Sequence, residues 1–148
     1  MRILLQRVTR ASVRVRGELV SEIGPGLLLL VGVGRDDAFG EYDRLAEKIV
    51  NLRVFEDDDG KMNRSVADVG GQILVVPQFT LYADIRRGRR PSWDAAAPPE
   101  VAADRVEAFA RVLESRGADV RRGAFREHMA VELVNDGPVT IWIDGSTI

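Results

Sequence analysis

Cysteine is absent from the 148 residues, so neither a disulfide nor a thiolate-held metal can organise this chain. Histidine is almost absent: His128 stands alone, and any Ser-His-Asp arrangement would have to use it. No apolar run approaches the roughly 20 residues needed to cross a bilayer. The longest, Leu27 to Val31, has the length of a strand. An excess of positive charge is missing too. The net charge is -2, whereas proteins that coat nucleic acid indiscriminately are basic, because such binding comes from neutralising phosphates. A nucleic-acid partner would have to be met by a local patch. The first residues, Met1 to Arg7, turn polar too soon for a secretory leader, and the composition fits a cytoplasmic protein.

What is present suggests one domain spanning 1–148, long enough to bury a real core. Ile3 to Val8 reads as a first strand, and Ser12 to Val20 as a hairpin turning at Gly17. Leu27–Val31 reads as a strand buried on both faces. Asp36 and Asp37 offer a start for a helix whose core face is Tyr42, Leu45, Ala46, Ile49 and Leu52. Glu56 to Gly60 is acidic but lacks the spaced ligands of a calcium loop, and reads as a solvated turn. A strand from Gln72 to Val76 runs into Pro77, which cannot donate to a central ladder. Pro98-Pro99-Glu100 starts a second helix with a stripe of Ala102, Val106, Phe109, Ala110 and Leu113, ended by Gly117. Met129, Val131 and Leu133, then Val139, Ile141 and Ile143, alternate with other residues as two closing strands. The expected fold is α/β of the α+β kind: a curved, mainly antiparallel sheet or partly closed β-barrel with two helices packed on it.

Candidates for chemistry are few. There is no G-x-S-x-G elbow, no H-E-x-x-H pair, and no Walker lysine after Gly32–Gly34. His128 lies in a polar run and reads as solvated. Thr80, just past a strand, is the best side-chain hydroxyl, but a bare threonine is a poor nucleophile without a base; the plainer reading is a strand threonine bonded to backbone. The loop Arg86-Arg87-Gly88-Arg89-Arg90 is either a solvated surface loop or a phosphate contact, a job that suits the planar guanidinium fork. Between the last two strands, Asn135-Asp136-Gly137-Pro138 is either a plain Asp-Gly hairpin turn or a rigid corner that points carbonyls outward. A bond preceding proline can be cis at modest cost.

Several stretches, taken in order, carry a resemblance. They include Gln6-Arg7-Val8, Gly26-Leu27-Leu28, Leu45-Ala46-Glu47-Lys48-Ile49, Gly60-Lys61-Met62-Asn63, Gln78-Phe79-Thr80-Leu81-Tyr82-Ala83-Asp84, Arg89-Arg90-Pro91-Ser92 and Asn135-Asp136-Gly137-Pro138-Val139-Thr140. Almost end to end, the chain resembles the D-aminoacyl-tRNA deacylase family. The resemblance implies a homodimer, with no metal or cofactor, that cleaves the ester between a D-amino acid, or glycine, and the 3′ end of tRNA. It implies an active site at the subunit interface, each Gly137-Pro138 bend entering its partner's pocket to exclude L side chains. Arg7 would hold the bend and Met129 would wall the adenosine pocket. Backbone N–H groups of Gln78 and Phe79 would hold the oxyanion, with Thr80 as the alternative nucleophile. Neither DNA nor membrane is an implied partner. The family's Ser-Gln-Phe-Thr signature reads Pro77-Gln78-Phe79-Thr80 here, and a neighbouring family that edits L-alanyl-tRNA carries Pro-Gln-Ala-Thr. An L-alanyl-tRNA editor and a non-catalytic tRNA-end binding module are therefore the alternative expectations.

Overall fold

The computed structural model describes residues 1–38 and 40–148. Its organising element is β1 (Arg2–Val15), a single 14-residue strand where the sequence suggests a strand followed by a separate hairpin arm. The exposed pair Thr9 and Arg10 interrupts the apolar alternation, which hides the continuity. Along one edge of β1 runs β8 (Met129–Asp144), from Arg2 opposite Asp144 to Val15 opposite Met129. The other edge is shared. β3 (Gly26–Gly32) covers Arg2–Val8, and β2 (Glu18–Ile23) covers Ala11–Val15. The β1–β2 turn is the expected one, with Arg16 and Gly17 both at positive φ.

Beyond β3 the sheet continues with β6 (Gln72–Pro77) and β7 (Asp119–Arg122), each parallel to its neighbour. Parallel neighbours need a crossover. α1 (Glu41–Val50) lies between β3 and β6, and α2 (Pro99–Ser115) between β6 and β7. The sheet curls until Ser21 Oγ donates to the Arg122 carbonyl at 2.7 Å, bringing β2 to β7 and nearly closing a barrel. Three antiparallel pairings around β1 and two parallel ones at the flank match the expected, mainly antiparallel, partly closed sheet.

The sheet has two apolar faces. Ile3, Leu5, Leu27, Leu29, Ile73 and Val75 pack beneath the helices. Val8, Ala11, Val13, Leu28, Leu74 and Val76 fill the inside of the curl. Leu27, Leu28 and Leu29 are fully buried, worth about 1.5–3 kcal/mol each. The α2 stripe is buried as expected, and Gly117, at φ +88, follows its end. α1 begins later than Asp36 and Asp37. Asp37 instead accepts from the Gly34 N–H at 2.6 Å and from the Tyr82 hydroxyl, and pairs the Met1 amino group at 2.8 Å. That carboxylate ties loops together and starts no helix. Leu52 falls past the end of α1 but still packs on the core.

The acidic turn joins β4 (Phe55–Glu56) to β5 (Met62–Arg64). The Asp57 carboxylate is satisfied by Asn63 and by the N–H groups of Asp59 and Lys61, and these bonds, Asn63 foremost, hold its pKa down. Among the described residues no acidic or histidine cluster suits a metal, and no helix is long and apolar enough to cross a membrane.

The hairpin reading of residues 129–143 is overturned. The two arms pair with β1 and not with each other, so β8 is one strand with a bend in its middle. The register skips Asp136 to Val139, and between Gln6–Thr140 and Arg10–Val134 β8 uses two residues more than β1. Both strands change face at this irregularity, so β8 stays paired with β1 on either side of the bend while its two arms address opposite faces of the sheet. Met129, Val131 and Leu133 pack inside the curl and Val139, Ile141 and Ile143 on the helix-side core, while Ala130, Glu132, Val134, Thr140 and Trp142 are exposed.

Candidate active site

Where β3 and β6 run parallel, their carboxyl ends open into a cleft of about 630 Å³. Ligands commonly bind outside the carboxyl ends of parallel strands. Pro77, Gln78 and Phe79 form one wall. Ala96, Ala97 and Pro98, leading into α2, form another. Phe125, His128, Met129 and Val131 close the third side. The expected residues Pro77, Gln78, Phe79 and Met129 are thus brought together. Pro77 is the last residue of β6, as its missing N–H suggested. His128 is exposed, as read from sequence, but stands on the cleft wall.

A short 3₁₀ turn, Phe79–Tyr82, leaves β6 at the cleft edge. The Gln78 N–H donates to the Val31 carbonyl at 2.8 Å, so it is not available to an oxyanion. That removes the Gln78 backbone donor expected from sequence. The first turn of any helix leaves N–H groups without internal partners; here they are those of Phe79 and Thr80, which have no partner among the described residues. The Phe79 ring is 55% exposed and meets Trp93 edge-on, centroids 5.1 Å apart. Thr80 lies outside the lining residues, and its Oγ1 accepts from Gln78 Nε2. Neither end of a glutamine amide is basic enough to take the threonine proton. Beneath the turn, burial and then the Asp37 charge push the Tyr82 hydroxyl's pKa up, so it stays protonated and donates to Asp37.

The bend in β8 is a second place altogether. Arg7 is 4% exposed and reaches it from β1. Its Nη1 donates to the Val54 carbonyl at 2.6 Å and its Nε to the Asp136 carbonyl at 3.1 Å, with Asp136 Oδ2 at 3.2 Å. Asn135 Nδ2 donates to the carbonyls of Arg7 and Val139, at 3.0 and 2.9 Å, bridging the bend's two ends. Between them the Gly137-Pro138 bond is cis, and both residues are exposed. Gly137 has φ +126, where L side chains are strained, and a β-carbon there would stand 3.1 Å from the Val139 nitrogen and 3.0 Å from Arg7 Nη2.

Arg7, Gly137 and Pro138 do not line this cleft. The expected site residues therefore fall into two groups, with Thr80 beside the first. Sequence reasoning missed Asn135 as the brace of the bend, although it sits in the quoted motif, and missed Trp93, Phe125 and Arg35 as cleft walls. No spacing signal marks those three, because the folding of three separate loops brings them together.

Comparison with known proteins bears on both places. A D-aminoacyl-tRNA deacylase of Thermomicrobium roseum is 58% identical over 148 residues, all of this chain and 96% of the relative. One from Heliobacterium modesticaldum is 55% identical over 98% of this chain and 97% of its own. The solved structure of a c-Myc DNA unwinding element binding protein is 41% identical, with a TM-score of 0.91, covering 97% of this chain and 98% of that one. The profile of the D-Tyr-tRNA(Tyr) deacylases matches residues 4–144, and with it the braced bend, the cleft and nearly all of the fold: the chain belongs to the D-Tyr-tRNA(Tyr) deacylase family.

Proposed function

We propose that this protein hydrolyses the ester joining a D-amino acid, or glycine, to the 3′ end of tRNA, as a cytoplasmic homodimer in which each Gly137–Pro138 bend enters the partner's cleft. The observation that carries this is the separation just described. The bend is exposed and braced from behind, yet stands apart from its own cleft. Such a corner is built to be presented to something else. The cleft, about 630 Å³, has the volume of a small-molecule site and suits an aminoacyl-adenosine end.

The chemistry asks little of side chains. An aminoacyl ester is already activated. Water adds to its carbonyl carbon, the C–O bond to the ribose breaks, and the departing 3′ oxygen takes up a proton, giving a free amino acid and tRNA. The Phe79 and Thr80 N–H groups stand at the cleft edge as oxyanion donors, each worth on the order of 10²–10³ in rate when aimed at the developing charge. The neighbouring ribose 2′-hydroxyl helps move the proton. Thr80 has no base beside it and acts through its backbone. Handedness is tested by the main-chain oxygens of Gly137 and Pro138, which collide with an L side chain and leave a D one free. Backbone tests the α-carbon and ignores the side chain beyond it, so many D-amino acids fit. Glycine, with nothing to collide, fits too.

The test is deacylation of D-Tyr-tRNA beside L-Tyr-tRNA, with the subunit count measured by sedimentation. Release of D-tyrosine with L-Tyr-tRNA left largely intact, by a dimer, is expected. No release at high enzyme concentration would end the reading. Pro77, a cleft wall without an N–H, motivates one further arm. Release of L-alanine from a non-cognate tRNA at a comparable rate would make the protein an L-alanyl editor. Salt-sensitive tRNA binding without any turnover would make it a binding module.

A further inference from the structure

We propose that Arg35 and the loop Arg87-Gly88-Arg89-Arg90 grip the phosphate backbone at the tRNA acceptor end, on the rim of the cleft that holds the reacting ester. The proposal rests on the deacylase reading. It starts from an imbalance of charge. The chain is net acidic, and its arginines are for the most part matched to carboxylates: Arg10 to Glu132, Arg64 to Asp58, Arg116 to Asp43. Arg35, Arg87, Arg89 and Arg90 are exposed and have no carboxylate at ion-pair distance among the described residues. Arg14, Arg44 and Arg53 lack one as well, but they lie on β1, on α1 and in the loop before β4, and the first two donate to backbone carbonyls. Unmatched cations gathered in one place repel each other, and a polyanion relieves that repulsion.

The loop is also built to hold its position. Asp84 and Ser92 exchange two backbone hydrogen bonds, both 2.9 Å, which pin its base. Gly88, at φ +70, sits at its turn. Arg86 is spent inside the loop: its backbone N–H and Nε both reach Asp84 Oδ1 at 2.9 Å, and those bonds hold the Asp84 carboxyl at about 2. Downstream, Ala97 N–H donates to the Val33 carbonyl and Arg35 N–H to the Ala95 carbonyl, which straps residues 93–97 beside 33–35. Trp93, Ala96, Ala97 and Arg35 all line the cleft. Three residues span at most about 11 Å, so Arg90 stands within one arginine's reach of the wall that Trp93 forms. A strand of RNA whose last nucleoside lies in the cleft has its preceding phosphates at this rim. Arginine suits them because its fork meets two phosphate oxygens at once.

The experiment compares two substrates in wild type, in the triple variant Arg87→Gln/Arg89→Gln/Arg90→Gln, and in a control, Arg111→Gln, which removes an exposed arginine from the middle of α2. One substrate is D-Tyr-tRNA. The other is D-tyrosine esterified to adenosine alone, which has no phosphate. The triple variant should lose about tenfold or more in kcat/KM on the tRNA at low salt, with the deficit confined to that substrate. Its plot of log kcat/KM against log salt should be shallower by about 2, at roughly 0.7 per lost phosphate contact. The control should match wild type. An equal loss on both substrates, or an unchanged salt slope, overturns the proposal. If wild type cleaves neither substrate, the deacylase reading fails. Salt-dependent binding of uncharged tRNA then still decides the loop: weaker binding by the triple variant supports it, and unchanged binding refutes it.

Discussion

The bend and the cleft rim both expose main-chain groups, but they are held in opposite ways. The bend is fixed from behind by two side chains, Arg7 and Asn135, which spend their donors on the carbonyls of Val54, Asp136, Arg7 and Val139. One of them is a cation buried to 4% exposure. The rim is held by the ladder: Gln78 N–H on Val31 fixes the turn, and the side chains of Phe79 and Thr80 stand exposed. A main-chain group aimed by buried side chains is vulnerable to their loss. One aimed by the sheet tolerates changes in the side chains it carries.

The sharpest way to break that contrast is Gly137→Ala. The added carbon meets backbone and the Arg7 guanidinium at a positive φ, so the bend must move. Deacylation of D-Tyr-tRNA in single turnover should fall on the order of a hundredfold, the cost of displacing a positioning group by about 1 Å. Arg7→Met comes next. It leaves the Val54 and Asp136 carbonyls unpaired at about 1–3 kcal/mol, lowering Tm by roughly 5–10 °C and deacylation with it. An unchanged Tm would show that the bend does not depend on this cation. Asn135→Ala removes both bonds that bridge the bend and should cost about 1–2 kcal/mol by urea denaturation.

A smaller effect lies away from both regions. Arg122 holds Glu107 and Glu114 of α2, and hydrogen bonds from its guanidinium are the largest cause of the lowered pKa of each carboxyl, ordinarily 4.5. A depressed folded pKa gives stability that is present above the unfolded value and lost as pH falls through the folded one. Arg122→Gln should therefore cost about 0.5–1 kcal/mol at neutral pH, the range for partly exposed pairs. The gap from wild type should close below about pH 4.5, and thermal melts across that range check it. The smallest effect is expected at the rim. Thr80→Ala should keep kcat within about threefold of wild type, since its hydroxyl has no base. Complete loss of activity with an intact fold would restore the threonine as nucleophile and remove the contrast.

How much of this was legible in the chain depends on whether local pattern or distant pairing decides it. α2 was readable to its ends, because five apolar residues at helical spacing, a leading proline pair and Gly117 all act locally. The start of α1 was misread because Asp37 looks like a cap and is recruited instead by Gly34, Tyr82 and the Met1 amino group. The unity of β1 and β8 was hidden for a similar reason. Each arm of β8 alternates as a strand should, but that alternation does not say whether the arms pair with each other or with a strand over a hundred residues away. The cleft residues Pro77, Gln78, Phe79 and Met129 were reached through resemblance, whereas Trp93 and Arg35 join them only through the strap between residues 33–35 and 95–97.

The surplus of two residues in β8 carries a consequence for how this corner can change in length. A single added or deleted residue that slid the first arm along β1 would turn Glu132 toward the inside of the curl and Val131 and Leu133 to water. The corner can therefore drift in length by any step that its unpaired residues absorb, provided both arms keep their register on β1.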